Sequence, residues 1–596
     1  MTSEHPHATT STTWMERGIY LALVMACAVA LSPNMADADL WGHVQFGLDV
    51  MEDGLAHRTT YSYSADGYPW INHENLAELL MASVATWIGG PGLLAMKCAL
   101  GLLVVGIILQ RAQQQRVGML ALCIVVLIVS VNMTYHWSIR PQIFSYTFFA
   151  LLIAIVSWCF DSWPSRWIPV PSDRDTTDFP SPSCAIAQLK HLWWAPGILF
   201  VWTNSHGGFV AGFCILGCYL FCRSIQAIQL WGKSGWEVAR YIWCILIVTI
   251  LATLLNPYGS GLHVWLLDSL GRPRPEIAEW HPPDLNSMLT IPLLLLSILW
   301  VVVLLFSRRV LHWSQLVVMS ITIWQCYEHQ RHVPFFAILF GLWMAPHVDD
   351  LLRRFQKDET GQFEKGVTPR MQGVLMAGLV ATLLLLSVRL YDRLHELRVE
   401  RNEFPVAAFQ YMADQELSGK LVVTYNWSQY AIAAFCTEQE GTRRMRVGFD
   451  GRFRTCYPQE VVDMHFDFVL GNGGPQARWR GPESPPFNPL RVLEHQQPHL
   501  VLFSRYQTHA VDVMQGVQDN WVLLYQDELA QLWGRAERYN NPADPHYLPD
   551  VQRQISDEPQ NGSVPWPALP HFGGTRVISV ADDDDNVRSV AHAEQS

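Results

Sequence analysis

Charge is scarce in this sequence. Asp, Glu, Lys and Arg make up 16% of its 596 residues, where an average soluble protein carries about 25%. No basic stripe is present, so nothing supports nucleic-acid binding. No CxxC occurs among the twelve cysteines, and most of them lie in apolar runs, where Cys serves as a small hydrophobe. Internal repeats are absent. With no inverted repeat and no paired broken helices, a transporter ranks last among the membrane functions considered. The composition excludes fibrous, collagen-like and wholly disordered classes, and also a single soluble domain. Net charge is −12, and half of it falls in residues 537–596, which hold ten acidic residues and four Arg.

What the sequence does have is apolar runs, all within residues 1–393. A bilayer core needs about 20 apolar residues per helix. Eleven spans are predicted, near 18–36, 91–110, 117–134, 141–160, 191–206, 208–228, 240–256, 288–306, 311–327, 332–346 and 371–391. With the N-terminus inside, 16 Lys/Arg fall in inner segments and 5 in outer loops, which is the expected asymmetry. An odd number of spans then places residues 394–596 outside. The expected organisation is a cytoplasmic N-terminus (1–17), an α-helical polytopic membrane domain (18–393), an extracytoplasmic α/β domain (394–540) and an acidic, disordered tail (541–596). The setting is a plasma (inner) membrane.

The first outer loop, 37–90, is long. Its stretches 40–53 and 74–87 have helical apolar spacing but are too short or too polar to span, and suit helices along the membrane surface. In the C-terminal region, 404–415 reads as helix. Residues 420–425 and 499–503 read as strands, and 521–535 as strand, turn and strand. Cys436 and Cys456, the only cysteines of that region, are expected to pair if it faces an oxidising compartment.

The outer loops hold nearly all the unusual polar chemistry. Asp37 and Asp39 can share a divalent cation, or one can ion-pair while the other takes a proton; the plainer reading is that Asp39 caps helix 40–53. His73 and Glu74 open the second surface helix, where Glu74 suits a helix N-terminus by charge alone or faces the cavity of the Asp pair. Arg140 lies where hydrocarbon begins, and either snorkels or contacts a phosphate. Asn204 and His206 sit beside the tight Gly207–Gly208 turn at the membrane edge. Glu279, Trp280, Arg331 and His332 come from later outer loops. A metal on His329 and His332 would need further ligands. Every cluster falls on one side by an orientation drawn only from Lys and Arg, which suits a lipid-linked substrate that meets a second substrate outside.

The combination of Asp37, Asp39, Trp41, His43 and Gly47 with Pro69–Trp70, His73–Glu74 and Ala77–Glu78 resembles a branch of bacterial GT-C-like polytopic membrane glycosyltransferases, remotely related to protein O-mannosyltransferases and aminoarabinose transferases. Asn204–Phe209, Asn256–Pro257, Glu279–Trp280, Tyr425–Tyr430 and Val447–Arg452 extend the likeness over most of 18–535. The resemblance implies a polyprenyl-phosphate sugar donor, an inverting transfer and a glycan, lipid or protein acceptor. It assigns the base, or a divalent metal (Mg or Mn), to Asp37 and Asp39. By chemistry, His43, His73, Glu74, Arg140, Asn204, His206, Arg331 and His332 are the candidates for binding substrate. The sequence departs from the mannosyltransferase pattern in having Asp-Ala-Asp where an adjacent Asp-Glu pair is usual. A non-enzymatic cell-envelope scaffold, with the outer domain as its binding module, is the alternative.

Overall fold

A computed structural model of the chain describes residues 7–164, 180–357, 368–439, 442–474 and 477–572. Residues 1–6 of the expected N-terminal segment, 165–179 of an inner loop and the acidic run Asp582–Asp585 lie outside the described residues.

Each predicted apolar run falls on a helix. Among the described residues, six helices are long and apolar enough to cross a membrane: Gly90–Gln114, Gln142–Cys159, Phe209–Trp231, Lys233–Thr253, Met288–Phe306 and Arg370–His395. A pair bent by 59°, Gln330–Trp343 with Ala345–Arg354, makes up to seven. The other runs form shorter or more polar helices. Met119–Thr134 and Trp313–Glu328 have 16 residues each and Trp194–Thr203 has 10, because polar turns such as Asn204–Gly208 end them early.

Residues 37–90 contain the two expected helices, Leu40–Asp53 and Asn75–Ile88. They cross closely at Gly47, where an added Cβ would lie 2.2 Å from the backbone oxygen of Glu78. Only a residue without a side chain permits that approach. It brings His43, one helical turn before Gly47, against Glu78.

The C-terminal region is built on a six-stranded sheet in the order Met445–Val447, Gly419–Val423, Leu500–Ser504, Ala530–Arg535, Trp521–Gln526, Gln554–Ile555. The first three strands are parallel, and the 521–535 hairpin adds antiparallel pairs. Leu500–Ser504 is buried at every position, as a strand covered on both faces should be. Helix Val406–Asp414 matches the expected 404–415.

Two expectations are corrected here. Cys436 and Cys456 are buried thiols rather than a disulfide. Residues 541–572, expected to be a disordered tail, carry ordered structure. Gln554–Ile555 extends the large sheet, and Ser563–Pro565 pairs with Arg398–Glu400. The carbonyl of Pro567 accepts a bond of 2.8 Å from Trp41 Nε1. These long-range ties draw the C-terminal sheet region onto the 37–90 segment. The backbone of Ala36, next to Asp37, is itself bonded to Arg398.

Candidate active site

A cavity of about 660 Å³ lies where the 37–90 segment, one set of helix ends and the C-terminal region meet. Arg140 stands at its centre of charge. The residue follows helix Met119–Thr134, and Pro141 starts the next helix directly behind it. Its Nε donates to Asp37 Oδ1 at 2.5 Å and its Nη1 to Glu279 Oε1 at 2.9 Å, while Nη1 is 3.4 Å from Asp39 Oδ2. Snorkelling is therefore not its role. Asp39 stands at the N-cap position of Leu40–Asp53 yet makes no capping bond with its side chain, so the helix-cap reading fails. Its carboxylate faces Arg140 and the cavity.

The two aspartates are not equivalent. Asp37 is held twice, by Arg140 and by the backbone N–H of Asp39 at 3.0 Å. Asp39 lines the cavity, and Asp37 does not. Burial pushes the Asp39 carboxyl above its usual range, with Asp37 adding to the rise and Arg140 opposing it. Arg140 bridges Asp37 and Asp39, so a guanidinium already meets both carboxylates expected to share a divalent ion.

The donor set with metal-like geometry is instead His43, Glu74 and Glu78. His43 Nδ1 is 3.0 Å from Glu78 Oε1 and 3.9 Å from Glu74 Oε2. Burial opposes charge on His43, but the bond to Glu78 and the charges of Glu74, Glu78 and Asp39 outweigh it and bring its pKa up to about 9. For Glu74, burial is outweighed by the surrounding His73, His43, His206 and Arg331, and its pKa falls. For Glu78, burial wins and its pKa rises. Like Asp39, Glu74 occupies a helix N-cap position without capping through its side chain.

His206 is a neutral group facing Glu74. The N–H of Gly208 donates to His206 Nδ1 at 2.9 Å, and Ser145 Oγ lies 2.7 Å from the same nitrogen. The ring proton therefore sits on Nε2, 3.5 Å from Glu74 Oε1.

On another part of the wall, positive charge gathers, with Glu276 the carboxylate that acts on Arg274 and Arg454 from beyond ion-pair distance. Arg274 and Arg331 both stack on Trp280, their guanidinium carbons 4.7 and 4.4 Å from the ring centroid. Arg454, from the C-terminal region, lies 5.0 Å over Trp479 and keeps a buried, unpartnered Nη2. Among the described residues none of the three is ion-paired; Arg274 bonds Ser269, and Arg454 bonds Gln459 and the Pro273 carbonyl. Burial and the charges of Arg331 and Arg454 pull the Arg274 pKa down to about 10, with the Glu276 carboxylate opposing the fall.

Of the residues predicted from sequence, Asp39, His43, His73, Glu74, Arg140, His206, Arg331 and His332 line this one cavity. Asp37 reaches it through Arg140. Asn204 does not belong: its side-chain amide donates to the Phe200 and Leu255 carbonyls and ties two helix ends together. His329 Nδ1 donates to the Trp280 carbonyl, 2.7 Å away, and forms no metal set with His332 among the described residues. Sequence reasoning did not assign Glu78, Arg274, Glu279, Tyr425, Gln429, Gly451 or Arg454 to the site. Glu78, Glu279, Tyr425, Gln429 and Gly451 stood in noted motifs, which was the available signal. Arg274 and Arg454 carried none.

No family model matches the chain, and no curated protein matches it. Among solved structures it is similar to the apo oligosaccharyltransferase of Archaeoglobus fulgidus, with a TM-score of 0.48 and 11% identity over 82% of this chain and 69% of that one. It is also similar to ArnT of Cupriavidus metallidurans bound to undecaprenyl phosphate, with a TM-score of 0.45 and 10% identity over 90% of this chain and 100% of that one.

Proposed function

We propose that the chain is a multi-pass membrane glycosyltransferase of GT-C type. It moves a sugar from a polyprenyl-phosphate donor to an acceptor hydroxyl of a glycan, lipid or protein outside the membrane. The observation that carries this reading is the pairing, in one cavity, of an Arg140-oriented carboxylate with arginines that form no ion pair among the described residues. A transferase with an anionic leaving group needs both. In this proposal the chain crosses the plasma membrane with its N-terminus inside. The eleven helical runs form the membrane domain, and the C-terminal α/β region closes the outer face.

The mechanism is a single displacement with inversion. Asp39 accepts the proton of the acceptor hydroxyl as its oxygen attacks the anomeric carbon. The bond from that carbon to the phosphate oxygen breaks, and the phosphate stays on the lipid. Arg140, anchored by Asp37 and Glu279, fixes the Asp39 carboxylate in place. Arg274, Arg331 and Arg454 stabilise charge on the departing phosphate. Proton removal by a positioned base contributes about 10²–10⁴-fold, and orientation at the membrane face contributes further. No step is routed through a metal at the Asp pair.

The test is Asp39→Asn in membranes supplied with native lipid-linked sugars. Transfer should fall by about 10²–10⁴-fold, the donor should accumulate, and membrane expression should stay normal. Undiminished transfer would refute the assignment of Asp39 as base.

A further inference from the structure

We propose that His43, Glu74 and Glu78 form a binding site for a divalent transition-metal ion on the cavity wall, separate from the Asp37–Asp39 pair. The inference stands independently of the transferase reading. Three ligand atoms from two helices converge within 4.8 Å of one another. Neighbouring ligands about 2.0–2.2 Å from a zinc-type ion lie roughly 3–3.5 Å apart. His43 Nδ1 and Glu78 Oε1 are already at 3.0 Å. The 3.9 Å between His43 Nδ1 and Glu74 Oε2 closes by turning the Glu74 side chain, with no helix movement.

The groups behind these ligands are arranged to aim them. Glu78 Oε2 accepts from Asn72 Nδ2 at 2.6 Å, which leaves Oε1 to face His43. Glu74 Oε1 faces the Nε2–H of His206, which leaves Oε2 toward His43. Each carboxylate thus has one oxygen held from outside and one directed inward, the outer-shell pattern of bound metals. Because Gly208 and Ser145 occupy Nδ1 of His206, that imidazole serves as a donor to Glu74 and not as a ligand. The helices themselves are fixed by the contact at Gly47.

The chemistry of the set selects the ion. One imidazole and two carboxylates favour Zn²⁺ or Mn²⁺ over Mg²⁺ and Ca²⁺, which prefer oxygen alone. Three protein ligands leave coordination positions open, and all three residues line the cavity. A bound ion would therefore face whatever enters it. Two carboxylates meeting one imidazole also leave a net negative charge that a divalent ion neutralises.

The experiment uses the full chain in detergent, stripped of metal and free of lipid and sugar. It is titrated with Mn²⁺ followed by electron paramagnetic resonance, and with Zn²⁺ against a chromogenic chelator. One equivalent of Zn²⁺ should bind and displace one equivalent of Mn²⁺. Glu78→Gln and His43→Asn should abolish that binding. Asn72→Ala, which removes no ligand, should weaken it about 10–100-fold, and Asp39→Asn should leave it unchanged. Absence of saturable binding would overturn the proposal, as would binding that survives Glu78→Gln but is lost in Asp39→Asn. Should Glu78→Gln fail to fold, Asn72→Ala decides alone: affinity within twofold of the parent overturns the site. Failure here with lipid-phosphate binding intact would leave the transferase reading untouched.

Discussion

The surroundings of Asp39 disfavour its charged form. Burial and the neighbouring Asp37 raise its pKa, and Arg140 only partly restores the charge. A group whose folded pKa lies above its unfolded value, about 3.9 for Asp, is ionised in the folded protein only above that raised value. Transfer should therefore be present at high pH and lost as pH falls through a limb above the ordinary carboxylate range. A kcat/KM profile against pH checks this, and a limb at or below about 4 would assign the proton to another group. The same shift has a stability consequence. Ionised Asp39 disfavours folding at neutral pH, and Arg140 keeps Asp37 and Glu279 as partners. Asp39→Asn should thus unfold at an equal or higher temperature than the parent while losing transfer. A marked fall in melting temperature would mean that the pair is structural.

Among elements, the crossing of Leu40–Asp53 and Asn75–Ile88 matters most, since it places both Asp39 and the His43–Glu78 contact. Gly47→Ala would drive a Cβ into the Glu78 carbonyl, a backbone atom that cannot rotate aside. The expected cost is about 1–3 kcal/mol of stability, with loss of the His43–Glu78 contact. Thermal unfolding measures it; an unchanged midpoint would show that the helices slide apart freely. Much of this element was legible in the sequence. The two amphipathic stretches were visible from periodicity, and Asp37, Arg140, His206 and Arg331 were grouped because Lys/Arg asymmetry assigned their loops to one face. Glu78 was not assigned, because the turn that faces His43 depends on the crossing angle, which local spacing does not encode. Asn204 shows the converse: a polar residue at a helix junction can be fully used by backbone carbonyls. The strands in 541–572 are two or three residues long, too short for any alternation, and exist only through distant partners.

For the molecule as a whole, the account joins membrane helices and the C-terminal region into one site. Gly451 is the test of that union, because a Cβ there would lie 2.6 Å from Asp39 Oδ1 and 2.6 Å from Gln429 Nε2. Both are the ends of side chains that can shift, so Gly451→Ala should fold normally yet displace Asp39 and cut transfer at least tenfold. Full activity in that variant would mean that the outer region does not close on the base. Topology is tested by reporter fusions at residues 235 and 395, which should report opposite sides, with 395 outside. The same side for both would break the argument that the polar loops share a face. Whether this cavity receives a lipid phosphate is decided by equilibrium binding. The purified parent, Asp39→Asn and the double variant Arg274→Gln/Arg331→Gln would be titrated with undecaprenyl phosphate and, separately, with undecaprenol. The account predicts saturable binding of the phosphate by the parent and by Asp39→Asn, at least tenfold weaker binding by the arginine variant, and no saturable binding of the alcohol. Equal binding of phosphate and alcohol, or phosphate binding indifferent to the two arginines, would contradict it.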